Sequence, residues 1–215
     1  MQIAWSPFLT QVLHLIIQLI TEKNMPKKSL RILYIHGFAS RFDRASEKVI
    51  ALSKLGEVVG VNVDYVLGPE RVLAEIDKVI QNIDLVVGTS MGGWTAAVVG
   101  GLYKLPFVSI NPAVMPNKSL KKYLGVGETF FGQPFTLLES VVDSYSPYAM
   151  AHHGLVLLDL ADEVIDATDT MAKLAPVMHI ASFPGGNHRF SHMTESIGLI
   201  ANYYSEIGIN NLTRK

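Results

Sequence analysis

From Leu30 onward, short apolar runs rich in β-branched residues alternate with segments of helical spacing. That alternation constrains the fold more than any other feature of the chain. Runs at 30–35, 58–65, 84–87, 106–110, 155–160 and 177–183 read as strands. Between them, 44–55, 70–83, 95–102 and 167–174 read as helices, and a last helix is expected over about 191–207. Ala45, Val49, Leu52 and Leu55 share one face of the first helix, and Gly56 is placed to end it. The run at 84–87 is continuous rather than alternating, as expected for a strand buried on both faces. Strands that alternate with helices, without an internal repeat, imply a mostly parallel sheet flanked by helices on both faces, a three-layer α/β sandwich. The exception is 111–153, about forty residues rich in Gly, Pro and aromatics, and so long an insertion is expected to be functional and lid-like.

The chain has 215 residues, which suits one domain, expected over 29–209. Lys plus Arg number 18 against 19 Asp plus Glu, so no positive excess exists to neutralise a phosphate backbone and a general nucleic-acid partner is not expected. There are no cysteines, which excludes disulfides, a thiolate nucleophile, iron–sulfur clusters and Cys-ligated zinc. Any reactive group must then be a hydroxyl, a carboxylate, a lysine, a metal-bound water or a cofactor.

Residues 1–28 read as an N-terminal extension. The apolar run from Gln11 to Ile20 is interrupted by His14 and Gln18, and is too short for a membrane span, which takes about 20 apolar residues. No Lys or Arg precedes it and Thr21-Glu22-Lys23-Asn24 follows it, unlike a signal peptide. An amphipathic or loosely attached helix is expected, or else a natural start at Met25. The expected location is the cytoplasm, so Asn211-Leu212-Thr213 reads as a chance match to a glycosylation acceptor.

The third strand runs into Gly88-Thr89-Ser90-Met91-Gly92-Gly93, which opens a helix. This is G-x-S-x-G in the strand–turn–helix context it requires. A serine at such a tip projects above the carboxyl end of the sheet. Small residues on either side let strand and helix approach, and the N–H of Met91 can meet a developing oxyanion. A serine hydroxyl needs a base, and in this arrangement the order is Ser, then Asp or Glu, then His. His188 follows the last strand through a Gly-Gly-Asn loop and is the expected base, with His192 the runner-up. His179 lies within that strand, and His152 and His153 precede the acid. Asp159, Asp162, Glu163 and Asp166 are the candidate acids, and Asp162, just past its strand, is preferred. The loop after the first strand, His36-Gly37-Phe38-Ala39-Ser40, offers the N–H of Phe38 as a second oxyanion donor, with His36 expected to hold the loop by side-chain hydrogen bonds.

Five segments occur together and in order: 32–38 (Ile-Leu-Tyr-Ile-His-Gly-Phe), the serine turn, Asn111-Pro112, 162–166 (Asp-Glu-Val-Ile-Asp) and 185–190 (Gly-Gly-Asn-His-Arg-Phe). In them the chain resembles the small YqiA/YcfP-type esterases of the α/β-hydrolase superfamily over about residues 30–207. The resemblance implies an α/β-hydrolase fold, a Ser90–His188–Asp162 triad and hydrolysis of a carboxyl ester or thioester, without naming the substrate. The extension through Lys28 departs from the family pattern.

The expected partner is a small acyl ester or thioester, with no cofactor and no metal. Tyr123, Phe130, Phe131, Phe135, Tyr145 and Tyr148 in the insertion could wall an acyl chain or belong to the core. Lys118, Lys121 and Lys122 could meet an anionic substrate such as a CoA ester, or form a solvated face. The competing readings are a non-catalytic binding module of the same fold, a serine acyltransferase, and a metal hydrolase using His188 and His192 on one helical face. Oligomeric state is not indicated by the sequence.

Overall fold

The computed structural model describes residues 29–149 and 154–212. The extension at 1–28, a start at Met25, His152, His153 and the end of the 211–213 acceptor pattern lie outside the described residues.

In chain order the first half forms β1 (Leu30–Ile35), α1 (Glu47–Leu52), β2 (Gly56–Val61), a 3₁₀ turn (Tyr65–Leu67), α2 (Pro69–Asp77), β3 (Leu85–Thr89), α3 (Met91–Tyr103) and β4 (Phe107–Ile110). There follow α4 (Pro116–Ser119), a 3₁₀ turn (Leu120–Tyr123), β5 (Gly125–Glu128), β6 (Pro134–Leu137) and α5 (Glu139–Asp143). The chain then gives β7 (Gly154–Asp159), α6 (Ala167–Leu174), β8 (His179–Phe183) and α7 (Met193–Leu212).

Six strands form one sheet in the order β2-β1-β3-β4-β7-β8, and every pairing in it is parallel. Successive residues of a strand point to opposite faces, so each central strand supplies both layers of the core. Leu33, Ile35, Val86, Val156 and Leu158 pack on the face covered by α2, α3 and α6. Ile32, Tyr34, Leu85, Val87, Leu155 and Leu157 pack on the other, against α1 and α7. Each such buried aliphatic side chain contributes about 1.5–3 kcal/mol of transfer free energy. This is the three-layer α/β arrangement, and it brings the carboxyl ends of β1, β3, β7 and β8 to one edge.

Some helix and strand ends fall short of the periodicity. The second strand stops at Val61, although Val63 and Tyr65 continue the apolar alternation. Their side chains are buried, but the Val63 N–H goes to the ring of His36 and Asp64 caps the 3₁₀ turn, so the backbone leaves the ladder. The second helix ends at Asp77 rather than Ile83. The Ile76 carbonyl accepts from both Val79 and Ile80, and Ile83 is still buried after the turn.

Between β4 and β7 the chain departs from alternation. Here β5 and β6 make an antiparallel hairpin, whose tip is tied to the loop after β1 by the Phe130 N–H on the Ala39 carbonyl at 3.0 Å. The remainder of this segment is anchored in the core. The Tyr145 hydroxyl donates to the Tyr65 carbonyl at 2.7 Å, and the Trp94 indole donates to the Ser146 carbonyl at 2.9 Å. The Tyr148 hydroxyl donates to Ser109 Oγ at 2.6 Å, and Ser109 Oγ in turn donates to the Gly93 carbonyl at 2.7 Å. Tyr145 and Tyr148 are therefore core residues, while Phe130 and Phe131 stay exposed. Tyr148→Phe removes a buried donor and is expected to cost about 1 kcal/mol, a drop of about 2–4 °C in melting temperature. Calorimetry checks this, and an unchanged melting temperature would show that the Tyr148–Ser109 bond adds no stability.

Candidate active site

Strand β3 ends at Thr89 and α3 begins at Met91, so Ser90 alone makes the turn, with φ 58° and ψ −119°. A positive φ is costly for a residue with a side chain, about 1–3 kcal/mol, and must be enforced by its surroundings. Close packing enforces it here. A Cβ on Gly88 would lie 1.9 Å from the Gly92 carbonyl oxygen, and one on Gly92 would lie 2.1 Å from that of Ile35. Only glycine at both positions lets α3 seat this close to β3 and to the end of β1. The backbone is pinned as well: the Ser90 N–H donates to the Ile110 carbonyl, and the Ser90 carbonyl accepts from Trp94 and Ala113.

The turn directs Ser90 Oγ to His188 Nε2, 3.0 Å away. On the other side of the ring, Nδ1 lies 2.8 Å from Asp162 Oδ2 and 3.0 Å from Oδ1. A carboxylate only accepts, so Nδ1 carries the proton and Nε2 is left as the acceptor for the serine hydroxyl. The Asp162 side chain is buried, and its Oδ1 also accepts from the Val164 and Ile165 N–H groups at 2.8 Å. Its neighbour Glu163 is exposed. The N–H groups of Glu163 itself and then of His188 hold the Glu163 carboxyl below the usual carboxylate range.

A second carboxylate organises the loop that carries His188. Asp159 closes β7 and is fully buried. Its Oδ2 accepts from the Asn187 N–H at 3.1 Å and the Ser191 N–H at 2.7 Å, and its Oδ1 from His192 Nδ1 at 2.6 Å. Gly186, at φ 75°, presses on this carboxylate so closely that a Cβ would fall 1.9 Å from it. Asn111 completes the hub. Its amide donates to the Asn187 and His188 carbonyls, and its Oδ1 accepts from the Asp159 N–H.

The loop after β1 passes beside the serine, where a Cβ on Gly37 would lie 3.2 Å from that of Ser90. His36 fixes this loop, with Nδ1 2.8 Å from the Gly37 carbonyl and Nε2 accepting from the Val63 N–H at 3.2 Å. Met91 is the first residue of α3, so its N–H has no acceptor within the helix. Phe38 stacks on Tyr123 and meets Phe135 edge-on, both with ring centroids 5.3 Å away. A cleft of about 680 Å³ joins these parts, lined by Phe38, Ser90, Met91, His188 and the hairpin aromatics Phe130, Phe131 and Phe135.

Residues 31–205 match the Uncharacterised protein family (UPF0227), the YqiA/YcfP family. The chain belongs to this family. A UPF0227 protein of Yersinia pseudotuberculosis is 26% identical over 171 residues, spanning 76% of this chain and 92% of that protein. Among solved structures, Est1E from Butyrivibrio proteoclasticus superposes with a TM-score of 0.63 at 17% identity, covering 89% of this chain and 91% of its own. Paleococcus ferrophilus monoacylglycerol lipase gives a TM-score of 0.58 at 16% identity, covering 81% of this chain and 93% of its own. These likenesses establish the α/β-hydrolase fold for this UPF0227 member.

The structure brings Ser90, His188 and Asp162 together, with Met91 and Phe38 at the same cleft. It separates the alternatives. His192 is paired with Asp159, and Asp166 caps α6. His188 and His192 do not share a helical face, because α7 begins only at Met193. Lys121 pairs with Glu139 and Asp143, and Lys122 lies over the Tyr123 ring. Among the described residues no helix is long and apolar enough to cross a membrane. The hub role of Asp159 and Asn111 is not legible from spacing, although an Asp within an apolar run was a signal that it is buried and needs partners.

Two outcomes follow from this geometry. Asp159→Asn presents a donor where the carboxylate now accepts three, and is expected to cost at least about 2 kcal/mol. Urea denaturation measures it, and an unchanged midpoint would remove Asp159 as the clamp of the 186–192 loop. Burial holds the His36 pKa below its ordinary 6.5, against the smaller opposing effects of the Gly37 carbonyl and Asp64. The unfolded chain then takes up a proton before the folded one does. Stability from this group is full above about pH 6.5 and falls as the pH drops toward the lowered folded value. His36→Gln is expected to flatten the fall in stability between about pH 7 and 5. An unaltered slope would assign the acid sensitivity elsewhere.

Proposed function

We propose that this chain is a serine hydrolase that cleaves a carboxyl ester or thioester through an acyl-serine intermediate. The observation that carries the reading is the continuous hydrogen-bonded line from Ser90 Oγ through His188 to buried Asp162, built on a strained strand–helix turn. In this reading His188 Nε2 takes the Ser90 proton as Oγ attacks the acyl carbonyl. Asp162 keeps the ring in the required tautomer and stabilises the imidazolium. The N–H groups of Met91 and Phe38 receive the oxyanion of the tetrahedral intermediate. The alcohol or thiol leaves with the proton from His188, and water repeats the two steps on the acyl-serine. The β5–β6 hairpin of the 111–153 insertion serves as the lid, with its aromatics facing the acyl group. The substrate is a small molecule, no cofactor enters the cycle, and a cytoplasmic location is the natural one for such an enzyme.

The fold shared with Est1E and with the monoacylglycerol lipase is consistent with this chemistry. A binding module of the same fold would have no use for a strained serine aligned on a histidine. An acyltransferase would share every step but the last acceptor. The wild-type chain is expected to hydrolyse p-nitrophenyl acetate or butyrate, and Ser90→Ala to lower turnover by about 10⁴-fold or more. A fluorophosphonate probe should label Ser90. Activity of the Ser90→Ala protein within about threefold of wild type would remove the serine from the chemistry. Absence of both labelling and turnover in the wild type would favour the binding module.

A further inference from the structure

Besides Lys122, which lies over the Tyr123 ring, three Lys and Arg side chains line the cleft that contains Ser90 Oγ: Arg41 from the loop after β1, Lys48 from α1 and Arg189 next to the histidine. Among the described residues none of the three has an ion-pair partner. The guanidinium groups of Arg41 and Arg189 are held instead by aromatic faces of the hairpin. The Arg41 group lies 3.8 Å from the centroid of Phe131, and that of Arg189 lies 5.7 Å from the centroid of Phe130. A ring face positions a guanidinium without neutralising it and leaves its N–H donors for another group.

Lys48 is half-buried at the start of its helix. Burial holds its ammonium below the ordinary range, Glu47 and Asp159 oppose that effect, and Arg189 adds to it by repulsion. The acids on the same cleft are otherwise placed. Asp43 accepts from the Ala45 N–H, Glu163 accepts from the His188 N–H, and Glu128 lies beside the hairpin turn at Gly132. A partly desolvated lysine beside an arginine, with no acid in ion-pair reach, is unfavourable unless an anion completes the group.

We infer that Arg41, Lys48 and Arg189 form a subsite for an anionic substituent of the substrate, so that the ester taken by this cleft carries a carboxylate or phosphate. The inference rests on the serine-hydrolase reading and extends it to the substrate class. The anion would accept charge-assisted hydrogen bonds from the lysine ammonium and the two guanidinium forks. The aromatic hairpin would cover the apolar part of the same molecule.

Matched ester pairs test the inference. On the acyl side, mono-(4-nitrophenyl) glutarate is compared with 4-nitrophenyl pentanoate, which has an acyl chain of equal length. On the alcohol side, monobutyryl glycerol phosphate is compared with monobutyryl glycerol. In at least one pair the anionic member is expected to have the higher kcat/KM by about tenfold or more, and the pair that responds tells which end of the ester carries the anion. Lys48→Met should lower that anionic-to-neutral ratio by about tenfold, chiefly through KM, while Lys48→Arg restores it. Because the neutral ester is measured on the same variant, a folding defect cancels in the ratio. Turnover of the neutral esters with no anionic preference in either pair, or a ratio that Lys48→Met does not move, overturns the inference. If the wild type turns over no ester at all, the hydrolase reading fails separately. Calorimetry on the Ser90→Ala protein then decides the subsite: monobutyl glutarate or butyl phosphate should bind, and bind more weakly when Lys48→Met is added. Absence of binding by both anions overturns the subsite too.

Discussion

The contact of α3 with the ends of β3 and β1 is the constraint from which the site is built. Backbone meets backbone there, with Gly92 against the Ile35 carbonyl and Gly88 against Gly92, and no side chain intervenes to absorb an error. Ser90 is left-handed because the chain must reverse from strand to helix within one residue. The same contact decides what surrounds the serine. The end of β1 is drawn in beside it, which brings Gly37 and Phe38 to the cleft. The carbonyls and N–H groups of Ile110, Trp94 and Ala113 fix the turn to β4 and to the start of the insertion. A strained residue persists only where several neighbours over-determine it, and here two strands, a helix and a loop do so.

Two aspartates near the end of β7 divide the work on the histidine. Asp162 touches the ring and orders its tautomer. Asp159 never reaches His188; it gathers Asn187, Ser191 and His192 and so fixes the backbone on either side. The Asp159 carboxylate accepts from three donors at once and leaves no room for a Cβ at Gly186, so these two positions are fitted to each other. Asn111 then joins this loop to the end of β4 with both ends of its amide. An imidazole held this way has little orientational freedom left to lose.

The fold was legible because the buried strands declare themselves by short apolar runs and the helices by one apolar face. Residues 167–174 matched to the residue because a cap and an apolar face coincide there. Misreadings arose where burial and hydrogen bonding part company. Val63 and Tyr65 look like strand residues because they are buried, yet the Val63 N–H is taken by a histidine ring. That Ser90, His188 and Asp162 would meet was legible because each lies just past a strand, in a fixed order. Asp159, Asn111 and the cations of the cleft were not, since their roles are defined by partners far away in the chain. The aromatics of the insertion divide for the same reason: Tyr145 and Tyr148 reach backbone and hydroxyl partners in the core, whereas Phe130 and Phe131 line the cleft and meet guanidinium groups there.

That division ties the hairpin to the loop that carries Phe38. The hairpin tip is hydrogen-bonded to Ala39, the residue after Phe38, and the Phe38 ring is packed between Tyr123 and Phe135. The hairpin thus holds the loop of Phe38 by the Phe130–Ala39 bond and the edge-on Phe135 contact, while Tyr123 of the preceding 3₁₀ turn stacks on the Phe38 ring. In the hydrolase reading, a substrate that filled the space under Phe130 and Phe131 would press on the hairpin that makes these contacts, and so on the loop of Phe38. Binding contacts remote from the reacting carbonyl would then be expressed in the rate of acyl transfer rather than in affinity alone. Tyr145, Ser146 and Tyr148 anchor the rest of the insertion in the core, so the hairpin is the part of it that meets the loop after β1.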